Sequence, residues 1–235
     1  MVEKLIQKAT ILHEALPYIR RFHGGRFVVK YGGHAMVDPE LRDSFARDIT
    51  LMKYVGLHPI VVHGGGPQID EHLERMGVRS ERVDGLRITD DATMEIVEMV
   101  LAGKLNQEIC TLIVNHGGRA VGLSGVDDGW LRADKIMKMT TRSGREVDPG
   151  RVGTIRDVRP DVAIRLVEGG FIPVVSPIAV DDAGRTLNVN ADTVAGAVAA
   201  ALKAEKLVLM TDTDGIHGRD GEVVSSLSAA SIEAL

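Results

Sequence analysis

The sequence predicts an α/β fold built on a mainly parallel sheet, and three observations carry that expectation. Short apolar runs end in glycine-rich or acid-rich turns at Val28-Val29-Lys30-Tyr31-Gly32-Gly33, Ile60-Val61-Val62-His63-Gly64-Gly65-Gly66 and Leu207-Val208-Leu209-Met210-Thr211-Asp212. Runs with so little polar alternation suit strands covered on both faces. Between the first two runs lies one helical-period stretch, and a strand, helix, strand crossover makes its strands parallel and brings their carboxyl ends to one edge. The small residues Ala195, Gly196, Ala199 and Ala200 let a further helix approach a sheet closely, as in layered α/β folds.

A chain of 235 residues is long enough for a well-buried core, as one large domain or two smaller halves. Hydrophobic residues at 44% and charged residues at 26% exclude a disordered class. A net charge of -5 with scattered Lys and Arg argues against a nucleic-acid or membrane-surface protein, though small anions can still bind locally. The single cysteine, Cys110, has no partner for an internal disulfide and lies in a helical run, which suggests a small buried apolar side chain. The amino-terminal region has no apolar stretch long enough for a signal peptide or membrane span, so a cytoplasmic location is expected.

In chain order, residues 3–22 read as an amphipathic helix with a kink expected at Pro17, either a flap on its own core or an oligomer contact. The first strand, 26–31, ends at Gly32-Gly33. Asp38 and Pro39 then start a helix with Leu41, Phe45, Ile49, Met52 and Val55 on its apolar stripe. The strand 60–63 stops in three glycines before Pro67, which suits the first helical position; Ile69, Leu73 and Met76 share a face of the helix that follows. Glycines at a strand end leave backbone N–H groups bare, and a helix start favours negative charge, so this turn is a candidate phosphate cradle or simply a tight turn. Lys30 would stand beside the same cleft, as an anion-binding ammonium or a solvated strand-end cation.

Arg87 follows a turn at Asp84-Gly85 and is either a carboxylate clamp or a surface ion pair. Thr89 or Asp90 caps the next helix, a second helix is expected over residues 104–114, and a strand over 119–124. Residues 131–153 read as hairpins that form a lid over a ligand, and Pro160 opens a helix before the strand 171–175. A hairpin around 181–184 leads to Leu187-Asn188-Val189-Asn190, where two amides share one strand face and can meet a polar ligand; Asp192, at a helix start, reads as a capping residue. Thr211-Asp212-Thr213-Asp214-Gly215 is another polar turn at a strand end. Its aspartates are a metal pair or, more commonly, turn formers. Residues 217–222 read as a hairpin tip, and Ser228 caps a last helix.

Taken together, Lys30-Tyr31-Gly32-Gly33, His63-Gly64-Gly65-Gly66-Pro67, Asp84-Gly85-Leu86-Arg87-Ile88-Thr89, Asn188-Val189-Asn190-Ala191-Asp192 and Thr211-Asp212-Thr213-Asp214-Gly215 resemble the amino-acid kinase family in motif and order. The likeness extends to its arginine-sensitive branch that phosphorylates N-acetyl-L-glutamate and carries an amino-terminal helix. It covers essentially the whole chain and implies an open αβα sandwich. The implied lobes are an oligomerisation helix, 1–23, an acyl-amino-acid lobe, 24–176, and a nucleotide lobe, 177–235, expected to continue past Leu235 to a second lysine.

The resemblance further implies that Lys30 stabilises the transferring phosphoryl group and that Asp192 orients Lys30. Gly32, Gly33, Gly65 and Gly66 would hold phosphate or substrate, Arg87 the α-carboxylate, and Asn188 and Asn190 the acetylated substrate. Thr211, Asp212, Thr213, Asp214, Gly215, Ile216 and His217 would line the nucleotide site. ATP is the implied co-substrate, with Mg²⁺ held by phosphates and water and no protein metal ligands. L-Arginine is the implied feedback inhibitor, and the assembly a homo-oligomer, a dimer or a hexamer. The alternatives are a family kinase acting on aspartate, glutamate, carbamate or an acetylaminoadipate-type substrate, or a non-catalytic amino-acid sensor. Arg87 and the paired asparagines favour an N-acylated α-carboxylate ligand.

Overall fold

The computed structural model describes residues 2–218 and 221–232. Helix α1 (Val2–Phe22) holds Pro17 inside it, and strand β1 (Arg26–Tyr31) follows. A short 3₁₀ turn leads to α2 (Pro39–Tyr54), where the Asp38 carboxylate accepts from the N–H groups of Glu40 and Leu41 and so satisfies two donors that the helix cannot. Then come β2 (His58–His63), α3 (Gly66–Arg75), a small hairpin of β3 (Arg82–Val83) and β4 (Leu86–Arg87), and α4 (Asp91–Glu98), capped by Asp90 at 2.8 Å from Thr93 N. Helix α4 passes through a π-helical stretch, Met99–Leu105, into α5 (Asn106–Asn115). Beyond it run β5 (Ala120–Ser124), β6 (Leu131–Lys135), the hairpin β7 (Met139–Thr140) and β8 (Glu146–Val147), β9 (Gly153–Val158) and α6 (Asp161–Glu168). The last elements are β10 (Ile172–Ser176), β11 (Ile178–Val180), β12 (Thr186–Asn188), α7 (Ala191–Ala201), β13 (Lys206–Leu209) and α8 (Ala229–Ile232).

The central sheet has the order β13-β1-β2-β10-β5 with every neighbouring pair parallel. Its side chains alternate into two cores. Val29, Tyr31 and Val61 face a layer made by α2, α3, α4 and α5, whereas Val28, Ile60 and Val62 face α6, α7 and a second sheet of order β12-β11-β6-β9. Ile60, Val61 and Val62 are wholly buried, each contributing about 1.5–3 kcal/mol. The rim is therefore held by the sheet. In register, Lys30 lies opposite Val62 and Leu209, and Tyr31 opposite His63, so the turns after β1, β2 and β13 emerge side by side.

Several expectations change. The helix expected over 104–114 is the continuation of α4, with no break at Gly103. Of residues 131–153, expected as hairpins forming a lid, 131–135 are β6, which pairs with β9 inside the second sheet, and β7 and β8 make a small hairpin of their own. Met76 caps α3 and is exposed instead of sharing the buried face of Ile69 and Leu73. Among the described residues β13 is apolar yet sits at the sheet edge, paired only with β1, and Leu207, Val208 and Leu209 are 39–50% exposed. Helix α1 exposes Ile6, Ile11, Leu12, Leu16 and Tyr18, which is not the pattern of a flap on its own core. The tip of the hairpin expected at 217–222 includes 219 and 220, outside the described residues. No helix among the described residues is long and apolar enough to cross a membrane.

Candidate functional site

The carboxyl ends of β1 and β2 border a cleft of about 320 Å³, closed on the far side by β4 and the start of α7. Lys30 enters it from the end of β1. Its side chain is only 14% exposed and its Nζ lies 3.2 Å from Asp192 Oδ1, so it is not a solvated strand-end cation. A methyl group at Gly32 would sit 2.7 Å from that Nζ, so the glycine gives the ammonium its room. Asn190, not Asp192, caps α7: its side-chain oxygen accepts from the N–H groups of Asp192 (2.8 Å) and Thr193 (3.1 Å). The Asp192 carboxylate is thereby free to pair with Lys30.

The triple-glycine turn has every carbonyl occupied. Gly64 O meets His63 Nδ1 at 2.8 Å, Gly65 O accepts from Ile69 N at 3.0 Å, and Gly66 O accepts from Arg87 Nη2 at 3.2 Å. The N–H groups of Gly65 and Gly66 donate to no acceptor among the described residues. Donors open and acceptors withdrawn, at the start of a helix, is the arrangement that receives an anion. Side-chain bulk is excluded at Gly65, where a Cβ would sit 2.6 Å from Leu101 Cδ2 and also strike Leu105.

Arg87 is buried, with its Nη1 2.6 Å from Asp70 Oδ1. Arg82 reaches the other oxygen of Asp70 at 3.0 Å, and a Cβ on Gly66 would lie 2.9 Å from Arg82 Nη2. Partial burial pushes the Asp70 carboxyl up, but hydrogen bonds from Arg87 and Arg82 outweigh it and hold the group below the usual carboxylate range. Arg82 lines the cleft and was not singled out in the sequence. The Asp84-Gly85 pair is a strong two-residue hairpin signal, and that hairpin sets Arg82 directly opposite Arg87. Asn188, also in the cleft, donates at 3.4 Å to Thr89 Oγ1, and that buried hydroxyl donates to Arg87 O at 2.9 Å.

Residues 211–217 stand beside this cleft, not among its walls. Met210 N donates to Lys30 O at 3.1 Å, which keeps the segment at the end of β1. Asp212 Oδ1 accepts from His34 N at 2.6 Å, bridging to the turn of Gly33, whose φ of +67° suits glycine. Asp214 pairs with His217 Nε2 at 3.0 Å. The two aspartates thus have separate partners, and among the described residues no cluster of three or more His, Cys, Asp or Glu could hold a metal ion. Thr211 and Thr213 bond to each other, while Gly215 and Ile216 lead into the bridge of His217 with Val223.

Residues 25–235 match the profile of the amino acid kinase family. The chain is 53% identical over 237 residues to an acetylglutamate kinase from Geotalea uraniireducens, covering all of this chain and 81% of that protein. Among solved structures it is similar to N-acetylglutamate synthase from Neisseria gonorrhoeae complexed with coenzyme A and N-acetyl-glutamate, with a TM-score of 0.81 and 26% identity, over 97% of this chain and 51% of that one. The same synthase complexed with coenzyme A and L-arginine matches with a TM-score of 0.74 and 25% identity, over 95% of this chain and 52% of that one.

Proposed function

Because this chain belongs to the amino acid kinase family, we propose that it is an acetylglutamate kinase, moving the γ-phosphoryl group of ATP onto the side-chain carboxylate of N-acetyl-L-glutamate in arginine biosynthesis. The observation that carries this reading is the cleft that Lys30, the open amides of Gly65 and Gly66, and buried Arg87 share. A carboxylate oxygen attacks the γ-phosphorus, the bond to the β-bridging oxygen breaks, and an acyl phosphate and ADP result. The nucleophile is already ionised and needs no general base. Catalysis is then alignment of two anions and compensation of the charge on the phosphoryl group in flight.

In this reading Lys30 faces the transferring phosphoryl group, held in place by Asp192, and Gly32, Gly33, Gly65 and Gly66 present backbone to phosphate or the reacting carboxylate. Arg87 takes the α-carboxylate with the part of its guanidinium that Asp70 leaves free. Asn188 binds the acetylated substrate, and Asn190 contributes its amide nitrogen because its oxygen is committed to the helix cap. Residues 211–217 take the nucleotide; in this reading the substrate lobe is 24–176, the nucleotide lobe is 177–235, and Asn188 and Asn190 reach from the second into the substrate cleft. A cleft lined by amides and cations fits an Mg²⁺ ion carried in on the phosphates and completed by water, where it would neutralise phosphate charge.

The exposed apolar side of α1 supports a homo-oligomer, dimer or hexamer, and the arginine complex of the related synthase supports L-arginine as an inhibitor. The requirement for ATP supports a cytoplasmic location. The test is incubation with ATP, Mg²⁺ and N-acetyl-L-glutamate, trapping the acyl phosphate with hydroxylamine. Formation of the hydroxamate with this substrate, and not with aspartate, glutamate or carbamate, is the expected result. No product with N-acetyl-L-glutamate overturns the reading.

A further inference from the structure

His63 and Asn106 are two polar side chains sunk in the apolar core behind the glycine turn, 0% and 2% exposed. Asn106 opens α5 at the end of the π-helical stretch and reaches across to the sheet, where its Nδ2 donates to Val174 O on β10 at 2.8 Å and meets His63 Nε2 at 3.3 Å. Gly122 makes room for it, since a Cβ there would collide with the Asn106 oxygen. The Cys110 thiol approaches that oxygen at 3.7 Å. The chain of bonds fixes every proton. Val174 O only accepts, so the asparagine nitrogen faces it and must also donate to Nε2. Gly64 O likewise only accepts, so the imidazole is neutral and carries its hydrogen on Nδ1.

Gly64 is consequently gripped on both sides, its N–H donating to Tyr31 O at 2.8 Å and its carbonyl taken by His63 Nδ1. One bond ties the turn after β2 to the end of β1, which carries Lys30; the other turns a carbonyl dipole away from the place where negative charge gathers. A free carbonyl at Gly64, which borders the cleft, would oppose an incoming anion. We propose that His63, held in one tautomer by Asn106, is a positioning residue for phosphoryl transfer: it withdraws the Gly64 carbonyl so that the Gly65 and Gly66 amides alone face the anion. The proposal rests on the reading of that turn as an anion cradle.

The test compares His63→Asn, whose amide nitrogen overlays Nδ1 and can still donate to Gly64 O, with His63→Leu, which cannot. Kinetics are measured by hydroxylamine trapping on variants that retain the wild-type circular dichroism. The expected result is a loss of kcat/KM of more than about tenfold in His63→Leu and recovery to within about threefold of wild type in His63→Asn. A smaller loss in His63→Leu, or an equal loss in both, overturns the proposal and leaves His63 a packing residue. Should His63→Leu fail to fold, ¹⁵N-labelled histidine in the wild-type protein decides: a protonated Nδ1 with a bare Nε2 supports the proposal, and the opposite tautomer refutes it. Lys30→Met is the separate control, because it removes the cation that shares the cleft with the Gly65 and Gly66 amides. If that variant keeps wild-type kinetics, the reading of the cleft as a phosphoryl site is itself wrong. If it fails while His63→Leu does not, only the role of His63 falls.

Discussion

Replacing Lys30 by methionine removes a charge while keeping most of the side-chain length, which makes it the sharpest probe of the cleft. The ammonium is 14% exposed and its carboxylate partner about half exposed, 3.2 Å away. Folding loses little, since the Asp192 carboxylate can rehydrate and a pair of this exposure contributes about 0.2–1 kcal/mol. The chemical step loses much more: removing one fixed group aimed at developing charge costs about 10²–10³ in kcat, or about 3–4 kcal/mol of transition-state stabilisation. The assay pairs hydroxylamine trapping under saturating ATP and N-acetyl-L-glutamate with calorimetric binding of N-acetyl-L-glutamate. Binding should stay within about threefold of wild type because Arg87, Asn188 and Asn190 are untouched. A Lys30→Met enzyme with near-normal kcat, or one whose binding falls in step with its rate, would refute the assignment of Lys30 to the phosphoryl group.

Asp70→Asn should raise KM for N-acetyl-L-glutamate about tenfold with a smaller change in kcat, because the Arg87 guanidinium loses its main anchor. Stability should fall by about 1–2 kcal/mol, less than for a buried pair because Asp70 is half exposed, as urea denaturation would reveal; an unchanged KM would show that Asp70 does not position Arg87. Gly65→Ala drives a methyl group into Leu101 and Leu105 and should cost about 1–3 kcal/mol as well as activity, and a stable, active variant would mean that the turn can shift freely. His63 gives a pH dependence: burial pushes its imidazole down to about 4, against about 6.5 in an unfolded chain. The unfolded state therefore binds the proton first, so this contribution is complete above about pH 6.5 and drains away as pH falls toward 4, by about 2 kcal/mol at pH 5. The stability advantage of wild type over His63→Asn should shrink by that amount between pH 7.5 and 5, and a constant difference would show that His63 titrates normally.

The rim of the sheet was legible because a crossover has only one allowed sense: once 26–31 and 58–63 are parallel neighbours, Lys30 and the glycine turns must share an edge. The cap of α7 was not, because Asn190 and Asp192 are both good capping residues two positions apart, and only the path of the chain decides which oxygen meets the free N–H groups. Exposure of β13 was also hidden. An apolar run reads as covered, but edge position belongs to the strand order and not to the strand. The π-helical stretch left a trace that binary patterning passes over. Buried Val97, Leu101, Leu105, Ile109 and Ile113 recur every four residues, and four-residue steps on an α-helix drift by about 40° each. A wider turn between Met99 and Leu105 absorbs that drift and brings Asn106 round to His63.

Arg87 shows how the site manages charge before any ligand arrives. A guanidinium this deeply buried and unpaired would destabilise the fold by several kcal/mol. Asp70 and Gly66 O remove that cost in the free protein, one on each terminal nitrogen. Because Asp70 also bridges to Arg82, one carboxylate faces two cations, so the cluster keeps a positive excess at the cleft wall. If Arg87 takes the α-carboxylate as proposed, that group adds to a cation already oriented and partly neutralised, instead of rescuing a bare one. Orientation is gained at the expense of raw attraction. That trade suits an enzyme that must admit two anions to one cleft and release two more, since the α-carboxylate is the same in substrate and product and a guanidinium with no partner of its own would hold both more tightly, slowing release.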